Sequence, residues 1–202
     1  MKKFTDLSLE NYLNELSSAE PVPGGGSVSA YVGSLAMGLT QMVARISLKR
    51  KKKEGLSPVD ERKENERREK IQNVIDSVEK IKRDAFAVVN LDPEVYEEVG
   101  KAYGQPEKME EALWKSFQMQ ADLVFLTIVA RERNEDLMNL VSGSIKNDLL
   151  VSAALSKAAF EGAYDTAMIN VVYMKDPKNK EKSEKALAEL KARFYKGAVH
   201  AG

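Results

Sequence analysis

Apolar residues recur along this chain at spacings of three and four, and no segment alternates strictly between apolar and polar positions within turn signals. Every periodic segment therefore reads as helix. Thr5 or Ser8 caps a first helix with Leu7, Leu9, Tyr12, Leu13 and Leu16 on its apolar side. A second runs from about Ser27 to the region of Lys49 and is dense in small residues. Ala30, Ser34 and Gly38 fall at four-residue spacing with Ser29 and Gly33 beside them, a pattern that lets another helix approach closely. Ser57-Pro58-Val59-Asp60 starts a third helix, polar as far as Lys70. It then becomes amphipathic through Ile71, Val74, Ile75, Val78, Ile81 and Ala85, and is expected to end near Leu91. Asp92-Pro93 predicts a fourth helix start. Gln105-Pro106 predicts a fifth, carrying Leu113, Trp114, Phe117, Ala121, Val124, Phe125 and Ile128. A short helix over 134–140, a long small-residue helix over 147–174 and a final helix capped by Asp176-Pro177 complete the chain. The expectation is an all-α, single-domain bundle of about seven or eight helices spanning residues 1–202.

The loop before the second helix is Pro21-Val22-Pro23-Gly24-Gly25-Gly26-Ser27-Val28-Ser29-Ala30. Prolines stiffen the approach, and glycines permit φ > 0 and hence a tight turn. Ser27 is a natural N-cap for the helix that follows. A glycine-rich helix start exposes N–H donors at the positive end of the dipole, which suits an anionic or electron-rich ligand. A loop and a capped helix that simply need glycine account for the segment equally well. It is neither a P-loop nor a dinucleotide fingerprint, because the Lys-Ser/Thr pair and a preceding strand are both missing.

Composition narrows the chemistry. The 202 residues carry 31 basic and 31 acidic side chains, so no net field draws the chain to nucleic acid or to a membrane surface. Ser29, Ser34, Thr40 and Gln41 interrupt the second helix, which reads as a buried helix of a soluble protein rather than a membrane span. The N-terminus lacks the apolar run of a signal peptide, so a cytoplasmic location is expected. There is no cysteine, and His200, the sole histidine, reads as a tail residue. Neither a thiolate, a catalytic triad nor a histidine metal site is expected. Acid–base chemistry falls to carboxylates, lysines or hydroxyls. Asp92, before Pro93, reads as an N-cap, and Asp148 lies in the first turn of a helix, where the dipole favours an acid. Lys49-Arg50-Lys51-Lys52-Lys53 reads as a solvated helix end or, equally, as a landing site for a polyanionic tail. No aromatic residues interleave it, which disfavours nucleic acid.

Pro-x-Pro-Gly-Gly-Gly-Ser-Val-x-Ala, followed by Met42-Val43-Ala44, resembles the formiminotetrahydrofolate cyclodeaminase / methenyltetrahydrofolate cyclohydrolase family. Asp92-Pro93-Glu94-Val95-Tyr96 with Ala102-Tyr103-Gly104-Gln105-Pro106 resembles a second stretch of that family. Asn147-Asp148-Leu149-Leu150-Val151 with Gly162-Ala163 and Ile169-Asn170 resembles a third. The resemblance implies a folate one-carbon enzyme, either releasing ammonia from 5-formiminotetrahydrofolate or hydrolysing 5,10-methenyltetrahydrofolate, with a slight lean to the former. It implies catalytic roles for Asp92 and Asp148. Substrate contacts are implied at Pro23, Gly24, Gly25, Gly26, Ser27 and Asn170, with Lys49 and Lys52 on a polyglutamate tail. No metal and no cofactor beyond the tetrahydrofolate substrate are implied. A homodimer through close-packed small-residue helices is expected. A non-catalytic helical oligomerisation or ligand-binding module with the same fold is the alternative.

Overall fold

A computed structural model describes residues 3–52 and 54–196. After a 3-10 turn at Phe4–Asp6, six α-helices follow in order: α1 (Leu9–Leu16), α2 (Gly25–Lys49), α3 (Pro58–Lys101), α4 (Pro106–Leu140), α5 (Lys146–Tyr173) and α6 (Pro177–Lys196). Ser8 caps α1 by accepting from the Asn11 N–H at 3.1 Å, and Ser57 caps α3 by accepting from Asp60 at 3.2 Å. Asp176 accepts from Lys178 at 2.8 Å ahead of α6. Gly104 and Gly143 turn the chain after α3 and α4 at φ 80° and 87°, where a side chain would be strained.

The count is six rather than seven or eight because two expected boundaries are absent. α3 runs unbroken through Asp92-Pro93. α4 continues through Asn134, which is a buried bridge rather than a helix start: its Nδ2 donates to Thr40 Oγ1 and to the Leu149 carbonyl, both at 3.1 Å.

Helices α2, α3, α4 and α5 form an up-down-up-down bundle in which each packs chiefly on its two neighbours. Antiparallel register follows from the bonds along each seam. Ser27 meets Val89 and Gln41 meets Ile75 between α2 and α3. Thr40 meets Ser152 at 2.8 Å between α2 and α5. Met37, Ile71, Leu123, Ile128, Leu149 and Phe160 fill the interior. α6 lies across α4 and α5, stacking Phe194 on Phe160 with ring centroids 3.9 Å apart.

Close approach of α2 and α5 rests on Ser29 and Gly33 of the small-residue pattern and not on Gly38. A Cβ on Gly38 would meet nothing within 4 Å. Gly33 and Ser29 make the contact instead: a Cβ on Gly33 would stand 3.4 Å from Ala159 Cβ, and Ser29 fills the room left by Gly162. No helix among the described residues is long and apolar enough to cross a membrane.

Gly33→Leu should therefore overpack the α2–α5 seam and cost on the order of 1–3 kcal/mol. Urea unfolding checks this, and an unchanged midpoint would show that the seam yields freely.

Candidate active site

Helix α2 begins at Gly25 with Gly24 as its N-cap, so no side chain of its own loop caps it. Ser27 is not the cap: it stands in the first turn, fully buried. Its N–H, which has no acceptor within α2, donates to Asp92 Oδ2 at 2.9 Å. Asp92 thus caps α2 from α3, rather than capping a helix of its own.

Pro93 explains why Ser27 sits where it does. Proline has no N–H, so the carbonyl four residues earlier, Val89, loses its helical donor. Ser27 Oγ donates to that carbonyl at 2.9 Å. The hydroxyl also lies 3.4 Å from Tyr12 Oη of α1. One serine therefore ties α2 to α3 through both its amide and its hydroxyl.

The second oxygen of Asp92 is also held. Gln120 of α4 donates from Nε2 to Asp92 Oδ1 at 2.7 Å. Gln120 is fully buried, and its Oε1 has no partner among the described residues. Gly26 makes room for the pair, since a Cβ there would overlap both Asp92 Oδ1 and Gln120 Nε2. This is the need for glycine in the loop. Gly24, Gly25 and Gly26 all have negative φ, and a Cβ on Gly24 or Gly25 would find 3.5 Å or more of space. The Val22–Pro23 peptide is cis, and Pro23 is buried.

Asp92 is half-buried, and burial pushes its carboxyl above the ordinary carboxylate range, opposed by the Ser27 N–H and by Gln120. The carboxyl is thereby suited to hold a proton and to give it up. Burial likewise raises the Tyr12 hydroxyl.

Asn170 lies at the same end of the bundle. Its Nδ2 donates to the Thr166 carbonyl at 2.9 Å, and Thr166 Oγ1 faces Gly25. Asp148, Lys49 and Lys52 are elsewhere within one chain. Asp148 stands in the first turn of α5, about 27 Å along that helix from Thr166 at 1.5 Å per residue. Lys49 ends the 25-residue α2, about 36 Å from Gly25. There Arg50, Lys51 and Lys52 line a 390 Å³ cavity shared with Asp60, Glu64 and Arg67. Lys53 and His200 lie outside the described residues.

Gln120, which bonds Asp92, and Tyr12, which meets Ser27, are neighbours that the loop motif does not reveal. Gln120 left one signal: it is a polar residue on the same helical stripe as Leu113, Phe117 and Val124.

A four-helix bundle that holds one carboxyl at a glycine-rich helix start presents the candidate site. Residues 8–189 match the family model described as formiminotransferase-cyclodeaminase, and the chain belongs to that family. It is similar to a methenyltetrahydrofolate cyclohydrolase of Methylorubrum extorquens, 26% identical over 104 residues, which is 52% of this chain. The chain spans 45% of that relative's length in the match. Among solved structures it is similar to formiminotetrahydrofolate cyclodeaminase from Thermotoga maritima, with a TM-score of 0.83 at 24% identity over 96% of this chain and 92% of that one. That likeness establishes the fold.

The raised carboxyl has a consequence for stability. The native state holds the Asp92 proton more tightly than the unfolded chain. The stabilisation is complete below the unfolded value of about 3.9 and is lost as pH rises through the native value. Asp92→Asn keeps an acceptor for Ser27 and, with the Gln120 amide turned over, a partner for Gln120, yet does not titrate. Measured by denaturation at stepped pH, the wild type should lose stability relative to Asp92→Asn as pH rises from about 4 through the native Asp92 value. A difference that stays flat over that window would contradict the assignment.

Proposed function

We propose that the chain is a folate one-carbon enzyme that moves protons through Asp92. The observation that carries this is the Asp92 carboxyl, held by Ser27 at 2.9 Å and Gln120 at 2.7 Å and raised by burial, in a chain of this family. In cyclodeamination, N10 of 5-formiminotetrahydrofolate attacks the formimino carbon and a new C–N bond forms. N10 then gives up its proton, the former imine nitrogen is protonated, and ammonia leaves with its bonding pair to give 5,10-methenyltetrahydrofolate. In cyclohydrolysis, water adds to the methenyl carbon and gives up a proton; the bond to N5 then breaks as the new hydroxyl loses its proton and N5 gains one, and 10-formyltetrahydrofolate forms. Both routes pass through a tetrahedral carbon between two nitrogens, and both need a fixed group that accepts and returns a proton. The glycine-rich start of α2 and Asn170 are assigned to substrate contacts, and the slight preference is for cyclodeamination.

Asp92→Asn preserves the cap, because Asn caps about as well as Asp. Its turnover should nevertheless fall by roughly 10²-fold or more if Asp92 carries the proton. Ammonia release from the formimino compound and absorbance of the methenyl compound, followed on one preparation, check this. Full activity in the variant removes Asp92 from the reaction, and absence of both activities in the wild type overturns the enzyme reading.

We propose further that the working form is a homodimer. Along α2, Val28, Val32, Leu35, Leu39, Met42 and Ile46 follow spacings of three and four, and Leu35, Met42 and Ile46 are exposed. α5 also exposes Val151, Ile169 and Val172. An apolar face of this kind calls for a partner. A two-fold axis crossing the middle of α2 pairs the helix with its copy in antiparallel fashion, setting the Lys49 end of one chain beside the Gly25 end of the other. That pairing supports a composite site in which Lys49, Lys52 and Asp148 serve the Asp92 of the opposite chain, with the lysines on the polyglutamate tail. In sedimentation, the wild type should run at twice the 22.5 kDa chain mass. Leu35→Glu/Ile46→Glu should run as the single chain and lose any preference for polyglutamylated over monoglutamyl folate. A wild-type monomer would overturn the dimer, and a monomeric variant that keeps the tail preference would overturn the composite site.

A further inference from the structure

We propose that Gln120 is a positioning residue for Asp92, an uncharged buried donor that fixes the carboxyl plane while leaving the group free to exchange its proton. The inference rests on the reading of Asp92 as the proton carrier. A carboxyl on a helix can turn about both side-chain bonds, so one hydrogen bond does not fix its plane. Here Ser27 takes Oδ2 and Gln120 takes Oδ1, and the two donors come from different helices. Gln120 cannot swing aside, because it is fully buried. A Cβ at Gly26 would overlap both side chains where they meet.

The amide is an expensive choice for structure alone. Its stripe neighbours Leu113, Phe117 and Val124 are apolar core, and an apolar side chain there would bury no polar atom. Gln120 instead leaves Oε1 without a partner among the described residues. A local rule broken in the core, with the broken residue aimed at the candidate acid, is where function is expected to be found.

Charge is the second part of the argument. An arginine or lysine in this place would hold the carboxyl ionised. Among the described residues no charged side chain hydrogen-bonds or pairs with Asp92. α2 presents uncharged Gly26 and Ser27, α4 presents Gln120, and α5 presents Thr166 and Asn170 on the far side of Gly25. α1 presents the Tyr12 hydroxyl through Ser27, and on α3 itself Glu94 and Tyr96 are exposed. Gln120 therefore gives orientation without a fixed charge.

The test is a titration of the ligand-free protein by carboxyl ¹³C NMR, with the Asp92 signal identified by its loss in Asp92→Asn. Gln120→Met removes the donor while keeping length and burial. Its Asp92 midpoint should rise by about 1–2 pH units, the worth of one hydrogen bond to a charged group. In the folate assay kcat should fall about tenfold or more with KM within about twofold, because orientation is lost rather than binding. Gln120→Glu serves if the Met variant does not fold. Two carboxyls sharing one proton should then titrate as a pair, in two steps, with one midpoint above the wild-type value. An Asp92 midpoint that stays at the wild-type value in a folded variant overturns the proposal. Wild-type protein inactive on both folates would sink the enzymatic reading while leaving the shift in the NMR titration to stand or fall by itself.

Discussion

The amide of Ser27 has no acceptor in its own helix, and the neighbouring helix supplies one. Much of the molecule follows from that bond. Asp92 takes the Ser27 N–H at 2.9 Å, and Val89, one turn earlier on α3, takes the Ser27 hydroxyl at 2.9 Å. The first of these is a cap provided by another helix. The second exists because Pro93 cannot donate to Val89. A proline that would ordinarily cost a helix one hydrogen bond instead opens a carbonyl on the surface where α2 must dock. The register of α2 against α3 is set at this point, and the register of α2 carries that of α5 through Gly33, Ser29 and Thr40.

The same bond explains which parts of the fold can be read from the chain. Helix type and most starts are legible because they depend on local periodicity and on caps such as Ser8, Ser57 and Asp176. The boundary at Asp92-Pro93 misleads for a physical reason. Aspartate before proline is a sound start signal when only the local chain is considered. Here the lost bond is replaced from 62 residues away, and no local pattern reports such a donor. Asn134 misleads in the same way, since a buried bridge to Thr40 and Leu149 resembles a cap until its partners are known.

The candidate site divides along the same line. Asp92, Gly26 and Ser27 are legible because a motif holds them, although the roles differ from those the motif suggests. Glycine is needed at 26 for space beside Asp92 and Gln120, not for a positive φ. Gln120 is hidden because a single polar residue on an apolar stripe is indistinguishable in sequence from a satisfied core amide. Asp148 and Lys49 are distant from Asp92 in one chain because both stand at the opposite end of the bundle. Sequence blocks can lie far apart in one subunit and still converge, provided the subunit pairs with itself about an axis across the apolar stripe of α2.

A carboxyl in this position meets opposing demands. Stability at neutral pH would be better served by a full charge partner or by no charge at all, because burial disfavours the ionised form. An acid–base role is better served by neither. A cationic partner would keep the proton away, and removal of the carboxyl would leave nothing to carry it. The arrangement found is intermediate: two uncharged donors, one from a helix start and one from a buried amide, around a half-buried acid. Both donors are tied into the helix packing, Ser27 through Val89 and Gln120 through its burial in α4. The acid is therefore held by groups built into the helix packing. The chemistry proposed for it requires a carboxyl that titrates without changing place, and the packing of α2, α3 and α4 around Pro93 provides that condition.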